Sequence, residues 1–213
     1  MGLEVQPRLC VVTAASADAR RLAEVLDAAA AATLLIAAGT GGALTAATAR
    51  PLVELAQKRD IAALIEGDAQ LARALRADGV HLPWSKDIEA RYGEAREVLG
   101  TRFIVGADVG RSRHDAMTIA EHGADYAGFG IPAHVEDRAG AAERRLELIA
   151  WWSEIFEVPC VAFDVETVAD ATALAAAGAD FIAMRLGVEL APAEYRALAR
   201  SIAEAASQRE ALA

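Results

Sequence analysis

Two stretches, "EHGADYAGFG" (residues 121–130) and "AAAGADFIAM" (residues 175–184), share one grammar: a helix-like run, a glycine, Ala-Asp, then a short apolar segment. A looser copy, "ADGVHL", stands at 77–82. Glycine readily takes the left-handed conformation that stops a helix. Gly123 and Gly178 are therefore expected to close helices, the next two residues to turn the chain, and a strand to follow. The recurrence describes an αβ-turn used several times, so it speaks of architecture before chemistry.

Working outward from these turns, strand-length apolar runs occur at 8–14, 33–39, 61–67, 78–84, 102–108, 125–130, 159–165 and 180–187. Between and after them lie segments with apolar residues at three- and four-residue spacing: 18–31, 43–59, 68–76, 87–99, 113–122, 141–157, 167–177 and 192–207. That spacing predicts helices, with Asp18, Asp68 and Thr167 as N-caps. The strands are continuously apolar instead of alternating, which predicts cover on both faces and hence a parallel sheet with helical crossovers. Eight strand–helix units predict one (β/α)8 barrel, a TIM barrel, spanning 1–213 as a single domain. A doubly wound sheet is the alternative, but no G-x-G-x-x-G turn follows the first strand. "GTGG" at 39–42 lacks that spacing and reads as a loop.

Composition narrows the function classes. The chain has 213 residues, 54% hydrophobic, with a formal net charge of −10. So acidic a surface repels phosphate backbones and disfavours nucleic acid as a partner. No apolar run reaches the ~20 residues of a membrane span, and "MGLEVQPRLCVVTAA" does not have the form of an export signal. Cys10 and Cys160 both sit in strand-like runs, read as buried thiols, which makes a reducing, cytoplasmic location the expectation.

In such a barrel the ligand site gathers at the carboxyl ends of the strands. Those ends supply Glu66 and Asp68, His81, Asp108, the segment from Gly128 through Gly130 to His134, Asp164, and Arg185. Converging carboxylates suit Mg2+, which takes few protein oxygens together with water and ligand phosphate; rim charges and helix caps are the other reading of the same residues. His81 alternates with Val80 and Leu82 and is expected to face the interior, as a hydrogen-bonded core histidine or a proton carrier. Arg111 and His114, at the start of the fifth helix, suit an anion, or else form a solvated cluster with Asp115. Arg185 ends the last strand, where a guanidinium is a good phosphate partner. The stretch 131–140 reads as a mobile loop over the mouth, with His134 and Arg138 as its contact residues. Trp151 and Trp152 read as helix packing.

With these residues in view, "ALIEGDAQLARALRADGVHL" (63–82), "GADYAGFG" (123–130) and "PCVAFDVETVADATALAAAGADFIAM" (159–184) resemble the thiamine-phosphate synthases and their thiazole-tautomerase relatives. The resemblance implies a (β/α)8 barrel. It implies an Mg2+-dependent transferase that joins a pyrimidine pyrophosphate to a thiazole phosphate through a cation-like pyrimidine. It further implies a small phosphorylated heterocyclic ligand and, since such proteins often self-associate, a homo-oligomer. On this reading Glu66, Asp68 and Asp87, at or beside the family's metal positions, would hold Mg2+, and the strand-end and helix-start residues Arg111, His114, Gly128, Gly130, His134 and Arg185 would meet substrate and phosphate. His81, Asp108 and Asp164 are the candidates for catalysis. The sequence departs from the pattern elsewhere: Ile36, Ala38 and Thr40 stand where the family carries Gln, Arg and Lys, and Phe163-Asp164 replaces a glycine pair. A non-catalytic regulatory barrel and a cofactor-free isomerase using His81 or His114 remain open as alternatives.

Overall fold

The computed structural model describes residues 8–39, 43–185 and 191–210. Its strands are β1 (Arg8–Ala14), β2 (Thr33–Ala37), β3 (Ala62–Glu66), β4 (Gly79–Leu82), β5 (Ile104–Asp108), β6 (Tyr126–Phe129), β7 (Cys160–Val165) and β8 (Phe181–Arg185). The helices are α1 (Ala19–Ala29), α2 (Ala46–Gln57), α3 (Ala69–Leu75), α4 (Ile88–Leu99), α5 (Arg113–Glu121), α6 (Arg138–Ile155), α7 (Val168–Ala177) and α8 (Pro192–Glu210). All strand pairings are parallel, and β8 closes onto β1, so the sheet is a ring in chain order. This is the TIM barrel; the doubly wound alternative is ruled out by that closure. Residues 186 and 187 of the eighth predicted strand, and Thr40 to Gly42 of "GTGG", lie outside the described residues.

The repeated turn has a definite structure. Gly123 (φ 83°), Gly178 (φ 105°) and, in the third copy, Arg76 (φ 55°) occupy the left-handed region. The alanine after each sends its N–H back to the helix: Ala77 to Ala72, Ala124 to Ile119 and Ala179 to Leu174. The aspartate that follows is bonded twice to the preceding strand. Its N–H donates to the carbonyl of Ala63, Val105 or Cys160. Its carboxylate accepts the N–H of that same residue, at 2.8 Å for Asp78, Asp125 and Asp180 alike. Each aspartate thus ties β3 to β4, β5 to β6, or β7 to β8 at the amino-terminal rim. In the β1–β2 pair Ala32 keeps the backbone bond to Leu9 but has no carboxylate to add.

Helix starts follow the predicted caps: Asp18, Asp68 and Thr167 accept the N–H of Arg21, Leu71 and Asp170. Helix α6 begins three residues earlier than its apolar spacing predicts, because Asp137 caps it through the Gly140 N–H. Its buried stripe is Ala141, Arg145, Leu148, Ile149 and Trp152, while Leu146 faces outward. Trp152 packs as expected, stacked on Phe156 with its indole N–H on the Val158 carbonyl.

Two apolar layers result. The larger lies between sheet and helices; the smaller, inside the barrel, joins Cys10, Val12, Leu35, Leu64, Tyr126, Val161, Phe163 and Ala183. Two rings dominate the inner layer because glycine makes room for them. A Cβ on Gly106 would stand 2.2 Å from the Tyr126 ring, and one on Gly128 would stand 2.8 Å from Phe163. Both cysteines are free and buried, and burial pushes the Cys10 thiol up to about 12. Among the described residues no helix is long and apolar enough to cross a membrane.

Candidate functional site at the carboxyl-terminal mouth

A cavity of about 1240 Å3 opens at the carboxyl ends of the strands. Of the candidates read from sequence, Glu66, His81, Asp108, His134, Asp164 and Arg185 line it, each delivered by a strand end or the loop after β6. Arg138 and Glu166 complete its charged lining.

Asp108 ends β5 and is buried. Its Oδ1 accepts the N–H of Gly110 at 2.7 Å and of Gly130 at 3.0 Å. Burial pushes its carboxyl up to about 7, the negative charge of Asp164 adds to the rise, and the two backbone donors oppose it. Asp164 approaches from β7: the point where a Cβ on Gly130 would stand is 2.3 Å from Asp108 Oδ2 and 3.0 Å from Asp164 Oδ2. Gly130 therefore has to be glycine for the two carboxyl groups to meet over it. Burial, with the charge of Asp164 added to it, keeps the Asp108 carboxyl protonated up to about pH 7.

Asp164 reaches that place through an irregular backbone. Its φ is 56°, and the β7–β8 register shifts between Ala162 and Val165. Aspartate is among the few non-glycine residues found in that region. Beneath the bulge lies Arg145 of α6, 1% exposed. Its guanidinium donates to the carbonyls of Phe163 and Asp164 and pairs with both carboxylate oxygens of Asp170, at 2.6 and 2.8 Å. Arg145 is the residue that sequence reading missed. The signal was present, since an arginine on an otherwise apolar helical stripe has to find partners inside.

His81 faces the interior as alternation predicts. Its Nδ1 lies 2.8 Å from the Tyr126 hydroxyl, and its ring stacks on Phe163 at 4.4 Å. Burial lowers the imidazole to about 3 and raises the Tyr126 phenol, so a neutral ring and an un-ionised hydroxyl share this hydrogen bond. Glu66, at the end of β3, is raised by burial and drawn back by the charge of Arg185.

The loop after β6, expected to be mobile, is tied to the rim. Ile131 donates its N–H to Asp164 Oδ2 at 2.8 Å, and its carbonyl accepts from Arg138 at 3.0 Å. His134 packs against Trp84 with ring centroids 4.9 Å apart.

The remaining candidates stand elsewhere. The carboxylate of Asp68 is engaged as the α3 cap, and Asp87 sits at the start of α4; neither shares the cavity lining with Glu66. Among the described residues no three His, Cys, Asp or Glu side chains come together to hold a metal. The predicted trio of metal ligands is therefore not a ready-made cage. Arg111 and His114 are exposed and outside the lining, while the neighbouring Arg113 covers the Trp151 ring. Gly128 contributes space within the barrel rather than a contact at the mouth.

A closed parallel barrel whose charged side chains collect at the carboxyl ends of its strands belongs to the ligand-handling (β/α)8 class. The sequence model of the thiamine monophosphate synthase family matches residues 9–188, and the chain belongs to that family. The thiamine-phosphate synthase of Erythrobacter litoralis is 41% identical over 138 residues, 64% of this chain and 63% of its own length. That of Rhodospirillum centenum is 41% identical over 146 residues, 68% of this chain and 67% of its own length. The match with the Hyphomonas neptunium relative spans 59% of that protein. Among solved structures, the thiamine phosphate pyrophosphorylase of Pyrococcus furiosus superposes with a TM-score of 0.70 at 22% identity, covering 97% of this chain and 98% of its own.

Proposed function

We propose that the chain is a transferase of the thiamine-phosphate synthase type in thiamin biosynthesis, joining a pyrimidine pyrophosphate to a thiazole phosphate or a close phosphorylated relative, as one domain in the cytoplasm. One observation carries the reading: the mouth sets the Asp108–Asp164 pair against two guanidinium groups, Arg138 and Arg185. The arginines suit departing pyrophosphate and the second substrate's phosphate. The carboxyl pair suits the positive charge that develops on the pyrimidine methylene carbon as its C–O bond breaks. In the reaction the bonding pair leaves with pyrophosphate, and the thiazole nitrogen supplies the pair for the new C–N bond. Fixed carboxylates in a water-poor site stabilise such a cation strongly. Neutral His81 orients Tyr126 and Phe163 beneath the ring. Mg2+ would enter with the pyrophosphate; Glu66 is the one predicted metal ligand in the cavity, and no step here passes through the ion.

The test is pyrophosphate release from the two phosphorylated substrates with Mg2+ present. Asp164→Asn is expected to lower turnover by about 100-fold. Because Asp108 must ionise, turnover should rise with pH toward a plateau above about 7. No release, together with no calorimetric heat from either substrate, overturns the proposal. Heat without release would favour a second reading, a barrel that binds without catalysis. One observation points that way: at the end of β2, Ile36 is buried in the layer against the helices and Ala38 is exposed, so neither gives the cavity a polar group.

A further inference from the structure

The barrel has a second cavity, about 280 Å3, at its amino-terminal end. It exists because the inward positions there are small or absent. Gly79 has no room for a side chain, since a Cβ would meet the Ile104 carbonyl at 2.0 Å, and Gly106 yields its place to the Tyr126 ring. Tyr126 and Phe163 form the inner end of the cavity, with Leu35, Leu64 and Phe181 on the walls. The Cys10 thiol in the same wall is un-ionised. The lining is thus aromatic and aliphatic, and its mouth carries two charged residues, Arg8 and Asp125.

Those two charges are not equivalent. Asp125 is committed: its Oδ2 accepts the Val105 N–H at 2.8 Å and an Arg96 N–H at 2.7 Å. Arg8 is exposed, with its guanidinium 4.9 Å from the centre of the Phe181 ring and no carboxylate within ion-pair distance among the described residues. Among the described residues, the charge at the opening with no ion-pair partner is positive, and it stands over the Phe181 ring.

We infer that this cavity binds a small monocarboxylate with an apolar, preferably aromatic, body, its ring among Leu64, Tyr126, Phe163 and Phe181 and its carboxylate on Arg8. A dry apolar void of about 150 Å3 accepts benzene, so the space here suits a ring with a short alkyl arm. A doubly charged phosphate is disfavoured, because one guanidinium beside the Asp125 carboxylate cannot balance it. The site is separate from the mouth and does not rest on the transferase reading.

The experiment uses 4-phenylbutyrate and the neutral 4-phenylbutanol as probes of the full chain, by calorimetry and by saturation transfer from protein to the phenyl protons. Both probes are expected to bind, the acid more tightly. The exposed Arg8→Gln should weaken the acid about tenfold or more, the loss of a charged hydrogen bond, and leave the alcohol unchanged. Thr33→Phe, which extends a ring into the cavity from β2, should abolish both. Absence of binding by either probe at millimolar concentration overturns the inference. So does equal binding of acid and alcohol by the unaltered chain, or a loss of acid binding on Arg185→Ala instead of Arg8→Gln, which would place the probe in the other cavity.

Discussion

Asp108 and His81 hold protons in opposite senses, and the balance is measurable. The Asp108 carboxyl is raised from 3.8 to about 7, so the folded protein retains a proton that the unfolded chain has lost. The stability this gives is complete below about pH 4 and disappears as pH rises through about 7. The His81 imidazole is lowered from 6.5 to about 3. Its contribution is complete above pH 6.5 and is lost as pH falls toward 3. Between about pH 4 and 6.5 the two slopes cancel. Asp108→Asn removes one slope, so between pH 6.5 and 4.5 the variant should lose roughly 2–3 kcal/mol relative to the parent. Thermal melts of both proteins at the two pH values check this; parallel behaviour would contradict the buried, proton-holding carboxyl. Strand-end positions made Glu66, His81, Asp108, Asp164 and Arg185 readable from sequence as candidates. The meeting of Asp108 with Asp164 was not readable. It depends on a left-handed backbone at residue 164 and on the bare α-carbon of Gly130, and neither leaves a periodic trace.

At the level of elements, the αβ-turns were legible because their parts are local. Helix end, buried alanine and aspartate follow one another in the chain, and the bonds they make reach only the adjacent strand. The bonding of Asp125 shows what such a turn contributes. Its carboxylate satisfies the Val105 amide at the start of β5 and one end of Arg96 from α4. Asp125→Ala leaves both donors without that acceptor and should lower stability by about 1–3 kcal/mol. Urea unfolding followed by circular dichroism measures the shift in midpoint, and an unchanged midpoint would show the tie to be idle. Helix α6 was harder to read. Its buried face includes Arg145, whose partners are carbonyls of a strand bulge and an aspartate 25 residues away. A pattern of apolar spacing assigns no place to a guanidinium, and the predicted start of the helix, 141, falls three residues late.

For the molecule as a whole, closure turns eight local repeats into one ring, and α8 completes the outer layer by laying Tyr195, Leu198 and Ile202 into the core beside α1 and α7. The ring was predictable because every unit repeats the same hydrophobic order; its cavities were not, since they depend on which inward positions happen to be glycine. Of the four odd-to-even strand pairs that share this turn position, three carry an aspartate rivet and the fourth, at Ala32, carries none. Among those four joints the unriveted one opens first. Amide protons at the amino ends of β1 and β2 should accordingly exchange with deuterium ahead of their counterparts in β3, β5 and β7, and Ala32→Asp should slow them.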